Sequence, residues 1–147
     1  MPNNKFPLNR YKHCHNVGLR MYSYAKDILG WDEIKCQEMF MLGVTHDLSY
    51  ELESDMYAHD ELGAMLLDGY KYANEIRYHS FIQNQYISPE LLLLYFADAT
   101  IDGAGNRVTF KQRDDDLVKR YGPNHIVVQQ HREIVNILIM NGFDDRI

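Results

Sequence analysis

Basic residues are in short supply. The chain has 15 Lys and Arg against 21 Asp and Glu, a net charge of -6. Without a cationic surplus it has little with which to displace the counterions of a nucleic-acid backbone, so neither nucleic acid nor an anionic membrane is expected as its main partner. A small phosphorylated ligand is still admitted, because two or three local cations or a metal can hold one. Cysteine is scarcer still: Cys14 and Cys36 make no disulfide framework and fit a reducing compartment. The longest apolar run, Leu91 to Ala97, is far too short to span a bilayer. The N-terminus, Met1-Pro2-Asn3-Asn4-Lys5, has no stretch of signal-peptide type, so a cytoplasmic location is expected. There is no Gly-rich phosphate loop, no Cys-x-x-Cys pair and no Gly-x-Ser-x-Gly elbow. Repeats, low-complexity tracts and inter-domain linkers are also absent.

What is present has the make-up of one soluble globular domain: 147 residues, 46% hydrophobic and 24% charged. The apolar spacing is helical nearly throughout. His13, Val17, Met21, Tyr24 and Ile28 form one stripe over Leu8 to Leu29, with Asn9 as cap and Gly30 as stop. His15 falls on the other side of that helix. Asp32 opens a second helix, with Cys36, Met39, Phe40, Gly43 and Val44 inward and an end near Leu48. Gly43 is costly in a helix interior and predicts close packing or a space. A loop over Ser49 to Asp55 leads to a third helix, Met56 to Tyr70, whose inner face includes His59. A fourth runs from Lys71 or Tyr72 to about Gln83 with Ile76 and His79 on one side. Ser88-Pro89-Glu90 is a strong start for a very apolar helix on which Asp98 shares a stripe with Leu91, Leu94 and Tyr95. Asp102-Gly103-Ala104-Gly105-Asn106 is a turn. Thr109 and Gln112 make a capping box for a helix to Tyr121, and a last helix spans Asn124 to Met140. That last helix could finish the core or form a homodimer surface. The expectation is an all-α domain of about seven helices.

Several polar residues break these apolar stripes. His46-Asp47 closes the second helix, and Asp47 follows Phe40 and Val44 by seven and three residues, on the buried side. Buried carboxylates are costly unless paired, protonated or metal-bound. His13, His46, Asp47, His59, His79 and Asp98 all lie on or at the end of inward stripes. Imidazole and carboxylate together suit Fe, Mn, Zn, Co or Ni, and helical bundles build metal sites in this way.

The ordered set Arg10-Tyr11-x-His13-x-x-x-Val17, His46-Asp47, His59-x-x-x-Gly63-Ala64, Ile76-x-x-His79 and Ala97-Asp98 resembles the HD-domain metal-dependent phosphohydrolases. The spacing is most like the YqeK-like branch, whose members cleave symmetrical dinucleoside tetraphosphates with a di-iron centre. The resemblance covers residues 8 to 121 and implies a helical HD bundle. It implies that His13, His46, Asp47 and Asp98 hold one metal, with Asp47 bridging to a second held by His59 and His79. One or two divalent ions are expected, iron first, with Mn, Zn, Co, Ni or Mg as alternatives. Water activated by them would attack phosphorus, with Asp98 orienting or deprotonating it. Many relatives carry Lys three residues after the motif's Asp, where this chain has Tyr50. Arg10, Arg77 and Arg113 are the remaining candidates for substrate phosphate. Three other readings share these residues: a nucleotide-binding signalling domain, a di-iron oxygenase and a purely structural bundle.

Overall fold

The computed structural model describes residues 8–47, 69–79 and 86–147. Among these the chain is helical: α1 Leu8–Asp27, α2 Glu33–Thr45, α3 Ala73–Arg77, α4 Pro89–Ala99, α5 Phe110–Tyr121 and α6 Ile126–Met140. One isolated bridge joins Ile101 and Arg107. The expected loop over Ser49 to Asp55, most of the expected third helix, Tyr50 and His59 lie outside the described residues.

The helix starts follow from short side chains at the caps. Asp32 accepts from the Lys35 amide, Ser88 from Leu91, and Thr109 from Gln112 with the reciprocal Gln112 contact of a capping box. Each satisfies a backbone donor that the first helical turn leaves open. Ser88 also donates to Glu75 Oε2 at 2.7 Å, beside Tyr86 Oη at 2.6 Å, and Glu75 is only 4% exposed. Ser88→Ala therefore removes a cap and half the support of a buried carboxylate. A loss of about 2 kcal/mol is expected from those two effects, read from urea unfolding midpoints.

α4 is apolar on nearly every side, so it is buried on nearly every side. Leu91, Leu93, Leu94, Tyr95 and Phe96 sit in one cluster with Val17, Met21 and Tyr24 of α1, Met39 and Leu42 of α2, and Ile76 of α3. Ile134 and Leu138 of α6 complete that cluster, so the last helix finishes the core.

Five local expectations change. Asn9 lies inside α1. Ile28 is 50% exposed, because α1 ends at Asp27 and the stripe ends with it. In α2 it is Leu42 that is buried, while Phe40 and Val44 are half-buried beside the helix crossing. α3 stops at Arg77, leaving His79 just beyond the helix. α6 starts at Ile126, where the His125 ring accepts from the Val127 amide at 3.1 Å and serves as the cap.

Candidate metal centre

The site begins with two glycines. Where α1 crosses α2, a Cβ on Gly43 would lie 2.5 Å from Gly18 Cα and 2.6 Å from Gly18 N. A Cβ on Gly18 would meet the Phe40 carbonyl oxygen at 2.7 Å. Only a Gly–Gly crossing permits this approach, and it sets His13 beside His46 with ring centres 5.5 Å apart. His79 meets His46 edge-on at 5.1 Å.

Each imidazole is tied to a backbone carbonyl through Nδ1. His13 Nδ1 meets Asp102 O at 2.8 Å, His46 Nδ1 meets Gly43 O at 2.6 Å, and His79 Nδ1 meets Ile76 O at 2.5 Å. A carbonyl only accepts, so each Nδ1 carries the proton. In the neutral ring Nε2 then presents a lone pair. The turn after α4 supplies the His13 anchor. Asp102 Oδ1 accepts from the Ala104 and Asn106 amides, and Asn16 Nδ2 donates to Gly105 O at 2.7 Å. Gly105 is needed there twice over, for a φ of +89° and for contact with Lys12 that a Cβ would crowd at 3.0 Å.

The Nε2 atoms face two carboxylates. Asp98 Oδ1 is 2.8 Å from His13 Nε2 and 3.6 Å from His46 Nε2. Asp47 Oδ1 is 3.1 Å from His79 Nε2, and its Oδ2 is 3.4 Å from His46 Nε2 and 3.0 Å from Arg10 Nη1. His13 Nε2 and His46 Nε2 are buried without a hydrogen-bond partner among the described residues. A lone pair aimed at a carboxylate is repelled unless a proton or a cation lies between them. Burial opposes charge on His46, yet Asp47 and Asp98 outweigh it and push its pKa up to about 9. Burial likewise raises Asp98, and the facing imidazoles of His13 and His46 more than reverse this, holding its carboxyl well below the usual range. A metal ion can take the place of those protons, because the Nδ1 anchors already fix the tautomer that ligands need. The buried group His13, His46 and Asp47 can hold a metal ion, with one donor atom from each lying within 4.8 Å of the others.

Beside these groups is an open cavity, walled on the far side by α5 and α6. Asp47, His79 and Asp98 line it together with Arg10, Arg113, Arg120 and His131. Asp98 is enclosed by protein except for the 27% of its side chain that stays open, less buried than its apolar stripe predicts. Of the sequence candidates, His13, His46, Asp47, His79 and Asp98 come together, with Arg10 on Asp47. Arg113 is on the cavity wall, 3.2 Å from Asp116. Arg77 instead donates to Asn74 at 3.1 Å and is not among the cavity residues. Arg120 and His131 are additions. His131 shares a stripe with Val128, Ile134 and Leu138, the signal that marks His13 on α1. Cys14 adjoins the site, but burial and Asp47 push its thiol up, which keeps it protonated.

The described residues form an all-helical fold with a buried His/Asp group that can hold a metal ion. Comparison with protein-family models, with curated proteins and with solved structures finds no match. Among the described residues no helix is long and apolar enough to cross a membrane.

Proposed function

We propose that this chain is a metal-dependent phosphohydrolase of the HD type, acting on a small phosphorylated or nucleotide-like compound in the cytoplasm. The observation that carries this reading is the set of three imidazoles locked through Nδ1 with Nε2 turned on Asp47 and Asp98 beside an open cavity. His59 would join His79 as a ligand, and iron is the first candidate, followed by manganese, zinc, cobalt and nickel. When bound, such ions supply Lewis-acid activation of water and neutralise phosphoryl charge. The protein's part is positioning. The carbonyl anchors stop the imidazoles from turning, and Asp47 reaches His79 through one oxygen and His46 through the other. Asp98 gives Oδ1 to the imidazoles, which leaves Oδ2 to orient a water or accept its proton. Arg10, Arg113 and Arg120 provide cationic reach along the cavity in an otherwise acidic chain.

The test is purification without oxygen, metal analysis by mass spectrometry, and assay of a panel of nucleotides, sugar phosphates and dinucleoside polyphosphates with each metal. Bound transition metal with phosphate release supports the proposal. No turnover with iron, manganese, cobalt, nickel or zinc would sink the enzymatic reading. A ligand-induced rise in melting temperature without product would point instead to a nucleotide sensor.

A further inference from the structure

The cavity has a second wall, built by one face of α5 and one face of α6. His131 stands on it with Val127 and Ile134 of α6, and Arg113 and Arg120 of α5 line the same wall. It is 8% exposed, and its Nε2 is 3.2 Å from the Phe110 carbonyl oxygen. That oxygen accepts, so Nε2 carries the proton and Nδ1 of the neutral ring is an acceptor. Arg113 and Arg120 share one carboxylate, Asp116, at 3.2 and 3.8 Å. Against the opposing pull of Asp114 and Asp98, Arg113 disfavours a second proton on the ring. Burial pushes the ring the same way, and its pKa is lowered despite the Phe110 hydrogen bond. An acceptor in this setting calls for a donor from the ligand. A neutral hydroxyl supplies that donor without bringing a second cation beside the Arg113 guanidinium.

We propose that His131 is a specificity-determining residue whose Nδ1 accepts a hydrogen bond from a hydroxyl on the organic part of the substrate, which makes that substrate a hydroxylated organic phosphate such as a sugar phosphate. This rests on the phosphohydrolase reading. Val127 and Ile134 line the same cavity and suit the C–H faces of a sugar. The hydroxyl is held on the wall across from the His/Asp group, so the same contact orients the phosphate toward that group.

The test uses manganese-loaded full-length protein and three probes: inorganic phosphate, the non-hydrolysable phosphonate of ribose 5-phosphate, and the phosphonate of tetrahydrofurfuryl phosphate, which lacks the ring hydroxyls. Affinities are read by titration calorimetry. Wild type should prefer the hydroxylated phosphonate by about 10-fold, the effect of leaving one buried acceptor without its donor. His131→Phe should bring the two phosphonates to near-equal affinity while leaving inorganic phosphate affinity and metal content unchanged. His131→Asn can donate to the Phe110 carbonyl and accept through Oδ1, and it should keep part of the preference. Should His131→Phe not fold, the ¹⁵N resonance of His131 Nδ1 in wild type takes its place and should move on saturation with the ribose phosphonate. No hydroxyl preference in wild type, a preference that survives His131→Phe, or an unmoved Nδ1 resonance overturns the inference while phosphate binding keeps the phosphohydrolase reading alive. Failure of all three probes to bind overturns both.

Discussion

Gly43→Ala is expected to lower the melting temperature by roughly 10 °C, against the usual direction for this substitution. In a helix interior alanine normally gains about 0.5–1 kcal/mol over glycine. Here the added methyl would sit 2.5 Å from Gly18 Cα and 2.6 Å from Gly18 N, both backbone atoms that cannot swing aside. Ordinary contact needs nearly 1 Å more, so α1 and α2 must part. Overpacking of this kind costs about 3 kcal/mol at the upper end of its common range. For a chain of this size each kcal/mol moves the melting temperature by about 2–4 °C. Thermal unfolding monitored by circular dichroism checks the prediction, and a variant as stable as wild type would refute the crossing. Because the same crossing sets His13 beside His46, metal affinity should fall in whatever fraction still folds.

His46→Ala should weaken metal binding by at least about 100-fold. Loss of outer-shell support alone costs up to about that factor, and His46 is a direct donor candidate within 3.6 Å of both carboxylates. The same loss is expected for Asp47→Ala, which leaves His46, His79 and Arg10 without the carboxylate they share. His15→Ala is the control. His15 stacks on Tyr11 and packs edge-on against Phe40, and its replacement should leave metal content unchanged. Metal content by mass spectrometry after gel filtration decides the matter. Equal content in wild type and His46→Ala would rule out the centre.

Much of this centre is legible in the sequence because its residues break local rules. Asp47 and Asp98 are acids on apolar stripes, and the 3.6-residue period assigns the inward face without any tertiary knowledge. Gly43 is legible for the same reason, as a poor helix former in an otherwise good helix. Gly18, its partner across the crossing, is legible only once the two helices are paired. Arg120 breaks no local rule. It reaches the cavity because of how α5 lies against the rest of the fold, which spacing within one helix does not encode. His131 is the instructive omission: it sits on a buried stripe as His13 does, but on a helix outside the ordered set of motifs. The errors at Ile28 and in α3 are errors of length, since periodicity continues on paper after the backbone has turned away.

The anchors of His46 and His79 run to the carbonyls three residues earlier, Gly43 and Ile76. These carbonyls sit at or near the C-terminal ends of α2 and α3, where the helix leaves its last carbonyls short of amide partners, and the His79 amide reaches Ile76 O only at a long 3.4 Å. Each imidazole thus plugs the end of its helix with one nitrogen and faces the site with the other. Fraying of the last turn and release of a ligand become one local opening event, so the helix ends and the centre belong to a single cooperative unit. An ion that holds Nε2 splints two helix termini at once, and amide exchange in those turns would report its arrival and departure residue by residue.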